Sequence, residues 1–423
     1  MDMNRSEKTN VATDSDQPEF FIDDQDRYSR LRMIGWWDQS KISNAKVLVV
    51  GAGALGNEVL KNLALLGFGN IYIIDMDTID ESNLTRSVLF RSADAGQPKS
   101  SVSAKMLREI NPDCQVYPLM GNVLAHIGLG LVRDMDVVFG CLDNREARLW
   151  VNRMCWKVGT PWIDGGIQEI NGVAKVFRPP HGSCYECTMT EMDYKLIALR
   201  YSCPLLRQEE ILQGKVPTAP TIASMIGALQ VQECLKLIHD LPTAESSALV
   251  FNGIANRFYK TEFPVNPNCM SHEFYDEDTV SLPLKSESCT LDELFRQFQQ
   301  TTGKAPTSVE LDRDLVVDVK CSACDRVDVV NQPSCLVGSD RALCPKCEQP
   351  MTPTLVNRIR ADETAKLALN LSQLGIPRDD IVKIHTGENA DADGHDGETD
   401  SEVNFVHLTG DAGNYSHDLQ RFV

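Results

Sequence analysis

The chain has 423 residues, of which 42% are hydrophobic and 24% charged, and its formal net charge at pH 7 is −19. This length suits two or three domains with sizeable cores. The acidic balance argues against a nucleic-acid partner, because a phosphate backbone requires a basic face. No apolar run reaches the roughly 18 residues of a transmembrane helix, so no membrane partner is predicted.

The first 20 residues are polar and carry no cleavage signature, which predicts a disordered tail (1–20) on a cytoplasmic protein. The sequence contains 14 cysteines, and a reducing cytoplasm argues against a disulfide framework. Six cysteines have no partner at a metal-ligand spacing, and we expect them to be buried as small apolar residues: Cys114, Cys141, Cys155, Cys234, Cys289 and Cys335.

Strand and helix patterns alternate after the tail. Apolar runs at 46–50, 70–75, 136–140 and 161–164 predict strands, and helical spacing predicts helices over 55–66, 98–111 and 221–238. Continuous apolar strands are typical of parallel sheets covered on both faces. The pattern therefore predicts a doubly wound, Rossmann-like α/β domain over residues 21–280.

A glycine-rich loop, "GAGALG", joins the first strand to the first long helix. Gly51, Gly53 and Gly56 allow a tight turn and close backbone approach, and the helix N-terminus favours phosphate. Asp75 ends the next strand, where a carboxylate can bind ribose hydroxyls. Taken alone, this pattern also fits a dehydrogenase.

Charged residues after the second strand favour a triphosphate over a nicotinamide cofactor. Asp77, Asn83, Arg86 and Lys99 follow that strand, and Arg and Lys can both hold phosphate oxygens. Asp143 follows the fourth predicted strand, where an acid can hold Mg²⁺ against phosphates. For each residue singly, solvated surface charge is the alternative.

Two sets of cysteine and histidine residues have the spacing of zinc ligands. The first joins two distant pairs, and the second has the spacing of a zinc ribbon. Four unrelated core thiols are the alternative for the second set, and both sets are predicted to be structural sites. The ligands are Cys184, Cys187, Cys269 and His272 in the first set and Cys321, Cys324, Cys344 and Cys347 in the second.

The composition changes after about residue 280. The second zinc set, a short amphipathic helix at 291–300, a helix near 361–374 and strands at 380–385 and 404–408 predict a small α+β domain over 281–423. An acidic Gly/Asp segment, 387–402, is predicted to be a disordered loop.

From "RYSR" (27–30) to "NPNC" (266–269), the motifs resemble in order those of the ubiquitin-activating enzyme superfamily, which includes ThiF- and MoeB-like adenylyltransferases. The resemblance implies a homodimer that uses ATP to adenylate the C-terminal glycine of a ubiquitin-like protein. By position, Arg30 would reach the triphosphate of the other protomer. Arg86 and Lys99 would hold phosphates, Asn83 would support the site, and Asp143 would serve Mg²⁺.

Cys203, in "YSCPLLR", resembles the thioester-forming nucleophile of the superfamily's catalytic subunits, in a crossover loop at 188–220. Pro204 disfavours a helical conformation at Cys203, and Arg200 and Arg207 would lower its thiol pKa. A buried, inert cysteine is the alternative.

The extra C-terminal domain suggests transfer from Cys203 to a conjugating enzyme. The other functions that the sequence allows are a sulfur-carrier-protein adenylyltransferase without a thioester step and a non-catalytic binding scaffold. The charged residues at the nucleotide site speak against the scaffold, which would have no need of them.

Overall fold

The computed structural model describes residues 25–202, 217–275, 278–387 and 402–412. The predicted tail, Cys203 and most of the predicted acidic loop lie outside the described residues. Within these ranges, no helix has the length and apolar character needed to cross a membrane.

The first sheet has eight strands among the described residues, and β1 to β5 run parallel while β5 to β8 are antiparallel neighbours. The strands are Lys46–Val50 (β1), Asn70–Asp75 (β2), Gln115–Met120 (β3), Val137–Gly140 (β4), Trp162–Gln168 (β5), Asn171–Phe177 (β6), Ser247–Asn252 (β7) and Arg257–Glu262 (β8). Their spatial order is β3-β2-β1-β4-β5-β6-β7-β8. The order reverses between β1 and β4, so a crevice for ligands is expected at the carboxyl ends of these two strands.

Helices cover both faces of this sheet. They are Gln39–Asn44 (α1), Ala54–Leu66 (α2), Lys99–Ile110 (α3), Val123–His126 (α4), Leu129–Arg133 (α5), Arg145–Val158 (α6), Glu191–Ser202 (α7) and Pro220–Ile238 (α8). Val47 and Val49 of β1 pack in a core with α2, α3 and α8, whereas Leu48 and Val50 pack in a second core with α5 and α6. Burial on both faces explains why β1 is apolar at every position after Lys46.

The mixed α/β fold with a large parallel sheet agrees with the prediction from sequence. The bounds of β1 and β2 are those predicted, and α2 ends at Gly67, whose φ of 79° is left-handed. Pro98 precedes α3 as its N-cap. Neither β3 nor α6 is predicted from sequence, because neither has the uniform apolar pattern of the elements around it.

The second sheet mixes antiparallel pairs with one parallel pair, β14 with β9. Its strands are Val280–Leu282 (β9), Pro306–Cys321 (β10), Val327–Pro333 (β11), Met351–Arg360 (β12), Ile381–Thr386 (β13) and Glu402–Leu408 (β14), and its helices are Leu291–Thr302 (α9) and Thr364–Leu367 (α10). The order is β11-β10-β13-β14-β9, with β12 paired to the long strand β10. We refer to the described residues from 278 onward as the C-terminal region.

The helix predicted near 361–374 is wrong beyond α10. Two backbone N–H groups in this segment bond to another part of the chain instead of to their own preceding turn. Leu371 donates to the carbonyl of Cys289 at 2.9 Å, and Ser372 donates to that of Ser286 at 3.0 Å. The apolar spacing of the segment therefore serves burial of Leu371, Leu374 and Ile376 in the core around α9.

The C-terminal region packs against α4, α5 and α6 through buried polar groups. Arg313 of β10 donates to the carbonyl oxygens of Leu124 at 2.5 Å and Ile127 at 2.9 Å. Its guanidinium also lies 4.8 Å from the ring of Trp150 and 3.3 Å from Asp380. These contacts join the two sheets through one side chain that is itself buried.

Candidate nucleotide and metal sites

The three glycines of the loop after β1 have different surroundings. Gly51 has a φ of 95°, and a Cβ there would lie 2.4 Å from the carbonyl oxygen of Cys141, so the loop packs directly on the turn after β4. A Cβ at Gly56 would lie 2.0 Å from the carbonyl oxygen of Gly51. At Gly53, the N-cap of α2, a Cβ would have nothing within 4 Å. This open position at a helix N-terminus is suited to phosphate.

Asp75, predicted to bind ribose hydroxyls, braces the glycine loop. Its Oδ2 accepts a hydrogen bond from the N–H of Ala52 at 2.7 Å, and its Oδ1 accepts one from the N–H of Asp77 at 2.8 Å. Burial raises the pKa of this carboxyl above its ordinary value, despite the nearby Lys99. Asp75 thus holds the ends of β1 and β2 together whatever else it binds.

The structure brings Lys99 and Asp77 together beside this loop. Lys99 Nζ lies 2.7 Å from Asp77 Oδ2, and the side chains of Lys99 and Asp77 are 11% and 60% exposed. The ammonium is therefore held at the first residue of α3 by a carboxylate that faces solvent. Such a pair can present a fixed cation to a phosphate and an acid to a metal ion.

Arg86 and Asn83 lie in the segment between β2 and α3. Arg86 Nη1 donates a hydrogen bond to the carbonyl oxygen of Ser82 at 3.1 Å, which uses one of the two terminal nitrogens of its guanidinium. Asn83 Oδ1 accepts from the N–H of Asp80 at 3.0 Å and completes a capping box around a short 3-10 helix. Asn83 therefore shapes the turn that carries Arg86.

Asp143 is exposed in the turn between β4 and α6. It accepts a hydrogen bond from Asn144 Nδ2 at 3.2 Å, and Asn144 in turn caps α6 by accepting from the N–H of Ala147 at 2.8 Å. The turn begins beside Gly51 at the reversal of strand order, which is where a ligand crevice is expected in this class of fold.

A buried ion pair that the sequence did not reveal supports this turn. Arg148 of α6 donates from Nη2 to the carbonyl oxygens of Leu142 at 2.6 Å and Gly165 at 3.0 Å, and from Nε to Asp164 at 2.8 Å. Burial opposes its charge, but the attraction of Asp164 raises the pKa of Arg148. The spacing of Arg148 and Asp164 matches no known motif, so this ion pair could not be predicted from sequence. Asp164 is recognisable there only as the polar residue at the end of an apolar strand.

Arg30 lies at the opposite end of the sheet from the glycine loop of its own chain. Its neighbour Tyr28 contacts Gly67 and accepts a hydrogen bond from Asn111 at 2.7 Å, at the C-terminal ends of α2 and α3. The 13 residues of α2 separate that end from the loop by about 20 Å. The exposed Arg30 side chain is therefore remote from this chain's own crevice.

The first predicted zinc set converges in space, although its two pairs are distant in sequence. The Sγ of Cys184 lies 3.7 Å from that of Cys187 and 3.4 Å from that of Cys269, and Cys187 Sγ lies 3.4 Å from Nε2 of His272. Ligands at zinc–sulfur distances of about 2.3 Å occupy a tetrahedron whose edges are roughly 3.8 Å. The residues therefore fit a tetrahedral ion, and we call them the first zinc-binding cluster.

The second set converges in the same way and forms the second zinc-binding cluster. The Sγ of Cys347 lies 3.4 Å from that of Cys321 and 3.7 Å from that of Cys324, and Cys324 lies 3.6 Å from Cys344. Burial raises the pKa of Cys344, but backbone N–H groups of Lys346 and Cys347 outweigh it and lower that pKa to about 6, whereas hydrogen bonds among the thiols raise the pKa of Cys347 to about 12. The positions of the four sulfurs, rather than these pKa values, fit a tetrahedral ion.

Comparison with known proteins identifies the fold. A family model described as the ThiF family matches residues 26–271, more than half of the chain. The chain belongs to the ThiF family. We refer to residues 26–271 as the ThiF region; it contains the glycine loop, the turn of Asp143 and three of the four ligands of the first zinc-binding cluster.

Two curated relatives resemble this region to different extents. The SAMP-activating enzyme E1 of Haloferax volcanii is 30% identical over 254 residues, which cover 58% of this chain and 87% of that protein. The ubiquitin-activating enzyme E1-like protein of Saccharomyces cerevisiae is 37% identical over 165 residues, or 38% of this chain. The chain spans only about a quarter of that relative's length, 26%.

A solved structure has the same fold. Escherichia coli MccB in complex with ATP superposes with a TM-score of 0.50 at 25% identity, covering 60% of this chain and 76% of that chain. The similarity is therefore confined to about the length of the ThiF region.

Among the described residues, the six cysteines outside the two clusters are poorly suited to nucleophilic chemistry. Burial raises their thiol pKa in every case, to about 11 for Cys114, Cys289 and Cys335. It raises the pKa further above the ordinary value for Cys141, Cys155 and Cys234. Cys114, Cys155, Cys234 and Cys289 are buried as expected, whereas Cys141 and Cys335 are only partly buried.

Proposed function

We propose that the chain activates the C-terminal carboxylate of a ubiquitin-like protein with ATP. The observation that carries the proposal is the open Gly53 position at the N-terminus of α2, beside the Lys99–Asp77 pair. Relatives that activate ubiquitin-like modifiers, and a structural neighbour bound to ATP, support the same chemistry.

In the first step, a carboxylate oxygen of the ubiquitin-like protein attacks the α-phosphorus of ATP. The bond from that phosphorus to the oxygen bridging to the β-phosphate breaks, and pyrophosphate leaves with the electron pair. Lys99 and Arg86 would hold phosphate oxygens, because negative charges must be brought together in this reaction. Catalysis is then mainly positioning by preorganised groups.

Mg²⁺ is the metal that the family's use of ATP implies, and the donor set fits it. Asp143 and Asp77 are exposed carboxylates on two loops at the same edge of the sheet, and Mg²⁺ prefers such oxygen ligands together with phosphate oxygens. When bound, Mg²⁺ neutralises charge on the phosphates. Asp143 is oriented for this role by Asn144 and by the Arg148 brace of its turn.

In the second step, the Cys203 thiolate attacks the acyl carbon of the adenylate, and the bond to AMP breaks. Cys203 lies outside the described residues, so this assignment rests on the other thirteen cysteines and on the superfamily resemblance. Seven of those are ligands of the two clusters, and burial raises the thiol pKa of the remaining six. Cys203 is thus the nucleophile left for a thioester.

A homodimer would complete the site. Arg30 is exposed, and Tyr28, two residues before it, contacts the end of α2 that lies about 20 Å from the glycine loop by the length of that helix. An arginine at that position contributes to a triphosphate site only across an interface between two chains. This placement supports the proposal that Arg30 acts in the partner's crevice.

We assign residues 21–280 as the adenylation domain and 281–423 as a zinc-containing C-terminal domain that recruits a conjugating enzyme. Transfer from Cys203 to the conjugating enzyme's cysteine would exchange one thioester for another and require no further ATP. The alternative for the whole chain is a sulfur-carrier-protein adenylyltransferase, which stops at the acyl-adenylate and therefore does not need Cys203.

Partner-dependent exchange between ATP and pyrophosphate tests the adenylation step. Asp143→Ala should reduce exchange at least about a hundredfold, whereas a substitution of the exposed Asp113, Asp113→Ala, should leave it unchanged. Exchange within twofold of wild type in Asp143→Ala would refute the assignment of the site.

Mixed Arg30→Ala and Asp143→Ala protomers should recover activity after subunit exchange, and absence of rescue would contradict action across the dimer.

A reductant-sensitive adduct with a ubiquitin-like protein tests the second step. Cys203→Ala should keep pyrophosphate exchange and lose the adduct, while the matched variant Cys335→Ala should keep both. Exchange without any adduct in the wild-type protein would favour the sulfur-carrier function.

A further inference from the structure

A buried carboxylate lies between the two halves of the first zinc-binding cluster. Glu186 is in the loop between the first two ligands, and its side chain is 1% exposed. Its Oε1 accepts hydrogen bonds from Arg153 Nη2 and from the hydroxyl of Tyr194, both at 2.8 Å. Its Oε2 accepts one from the hydroxyl of Ser271, which lies between the other two ligands.

The three donors to Glu186 come from three different parts of the chain. Arg153 belongs to α6, Ser271 to the second half of the cluster, and Tyr194 to the first turn of α7. Hydrogen bonds to a buried charged group are worth more than those between neutral groups.

The helix tied to Glu186 leads directly to the proposed nucleophile, because α7 ends at Ser202. A second contact also holds the start of α7: Asp193 lies 2.7 Å from Arg145 of α6. Those two side chains are 21% and 52% exposed, so this pair is expected to contribute little. The hydroxyl of Tyr194 on buried Glu186 is therefore the stronger attachment of the two.

We propose that Glu186 is a positioning residue that holds the first turn of α7 to the first zinc-binding cluster. Metal occupancy of the cluster then sets the place from which the chain continues to Cys203. Residues beside metal ligands commonly fix the orientation of what surrounds the metal, and here the fixed element is a helix. The inference deepens the proposed function, because it affects catalysis only if Cys203 accepts the acyl group.

Hydrogen–deuterium exchange of α7 tests the attachment without any substrate. Tyr194→Phe removes one hydroxyl and keeps the ring, so zinc content and overall stability should match the wild-type protein. The α7 amides should exchange at least about tenfold faster, equivalent to about 1.4 kcal/mol. Tyr117→Phe is the matched control, because Tyr117 lies on β3 at the edge of the first sheet; this variant should leave exchange of the α7 amides unchanged. Exchange within twofold of wild type in zinc-replete Tyr194→Phe would overturn the inference.

Removal of zinc tests whether the coupling passes through Glu186. Chelation should accelerate exchange of α7 in the wild-type protein and add little in Tyr194→Phe, since the connection is already broken; amides of β1 serve as an internal control. Equal acceleration in both proteins would contradict the proposal, because metal and helix would then be coupled by another route.

Activity separates this inference from the proposed function. Tyr194→Phe should retain pyrophosphate exchange and form the Cys203 adduct at least fivefold more slowly than wild type. An unchanged rate of adduct formation would contradict a positioning role. If the wild-type protein forms no adduct with a partner that it adenylates, the thioester function fails, and the hydrogen-exchange results still decide whether Glu186 holds α7.

Discussion

The ThiF region and the C-terminal region are both built around a sheet, but their cores differ in kind. In the ThiF region, strands such as β1 are buried on both faces and contribute to two large apolar cores. The C-terminal region has one apolar core around α9 and a smaller one formed with the second zinc-binding cluster. The ligands of the second zinc-binding cluster are thus part of a small core of their own, whereas the first cluster adjoins a large core of the ThiF region.

The boundary between the two regions combines buried charged groups with apolar contacts, and Ile381 of β13 packs in the second core of the ThiF region. Besides Arg313, Lys157 of α6 lies 2.5 Å from Asp312 of β10, and Tyr275 stacks on Phe405 at 4.3 Å. Buried charges are costly unless their partners stay in place. Deletion of the C-terminal region would leave charged groups of the ThiF region, such as Lys157, without their partners. Point substitutions are therefore better probes of this boundary than deletion.

The largest effect is expected from breaking the first zinc-binding cluster. Cys184→Ser should abolish binding of one zinc ion and lower the free energy of unfolding of the ThiF region by about 5 kcal/mol or more, part of the roughly 10 kcal/mol available from structural zinc. Native mass spectrometry and chemical denaturation measure the two effects. Cys344→Ser is the comparison: it should also lose one ion but leave unfolding of the ThiF region within about 1 kcal/mol of wild type. Equal losses would remove the distinction between the regions.

The next largest effect is expected at the polar boundary. Arg313→Ala should lower the free energy of unfolding by about 3–5 kcal/mol, because it leaves buried Asp380 without its partner. Arg326→Ala, which removes an exposed arginine from the second zinc-binding cluster's surroundings, should change it by less than about 1 kcal/mol. Chemical denaturation of the two variants measures both changes in the free energy of unfolding. Similar curves for the two variants would show that Arg313 contributes little to stability.

Acid should weaken the C-terminal region through Glu310. Burial raises its pKa, but Lys383, His385 and Arg358 outweigh burial and lower it from 4.5 to about 2. A lowered pKa in the folded state stabilises the protein above about pH 4.5, and this contribution is lost as the pH falls from 4.5 towards 2. The contribution is as much as about 3 kcal/mol. Glu310→Gln should flatten the dependence of stability on pH in that window, and an unchanged slope would contradict the assignment.

The smallest effect concerns the helix of the C-terminal core. Thr290 caps α9 by accepting from the N–H of Glu293 at 3.3 Å, and Glu293 accepts in return from the N–H of Thr290 at 3.1 Å. Thr290→Ala should cost about 1 kcal/mol in thermal or chemical unfolding. Thr290→Ser, which can keep the cap, is the control and should recover most of the loss; equal losses would mean that the cap contributes nothing.

Local chemistry explains which features could be predicted from sequence. The bounds of β1 and the end of α2 at Gly67 follow from apolar runs and a left-handed glycine, and the cluster ligands follow from paired spacings. Arg148, Glu186 and Arg313 could not be predicted in the same way. Each is a single charged residue whose partner lies far away in sequence or on a backbone carbonyl, so only the fold brings the two together.

Helix α6 carries a consequence for how freely the sequence can vary. Along its 14 residues, Arg145 contacts α7, Arg148 supports the turn of Asp143, and Arg153 donates to Glu186. Trp156 stacks on the ligand His272 at 4.3 Å, and Lys157 contacts the C-terminal region. Most surface helices have one face where substitutions accumulate without penalty. In a saturation mutagenesis library, α6 is expected to show intolerance around its whole circumference, like a buried helix, although several of its charged side chains reach solvent.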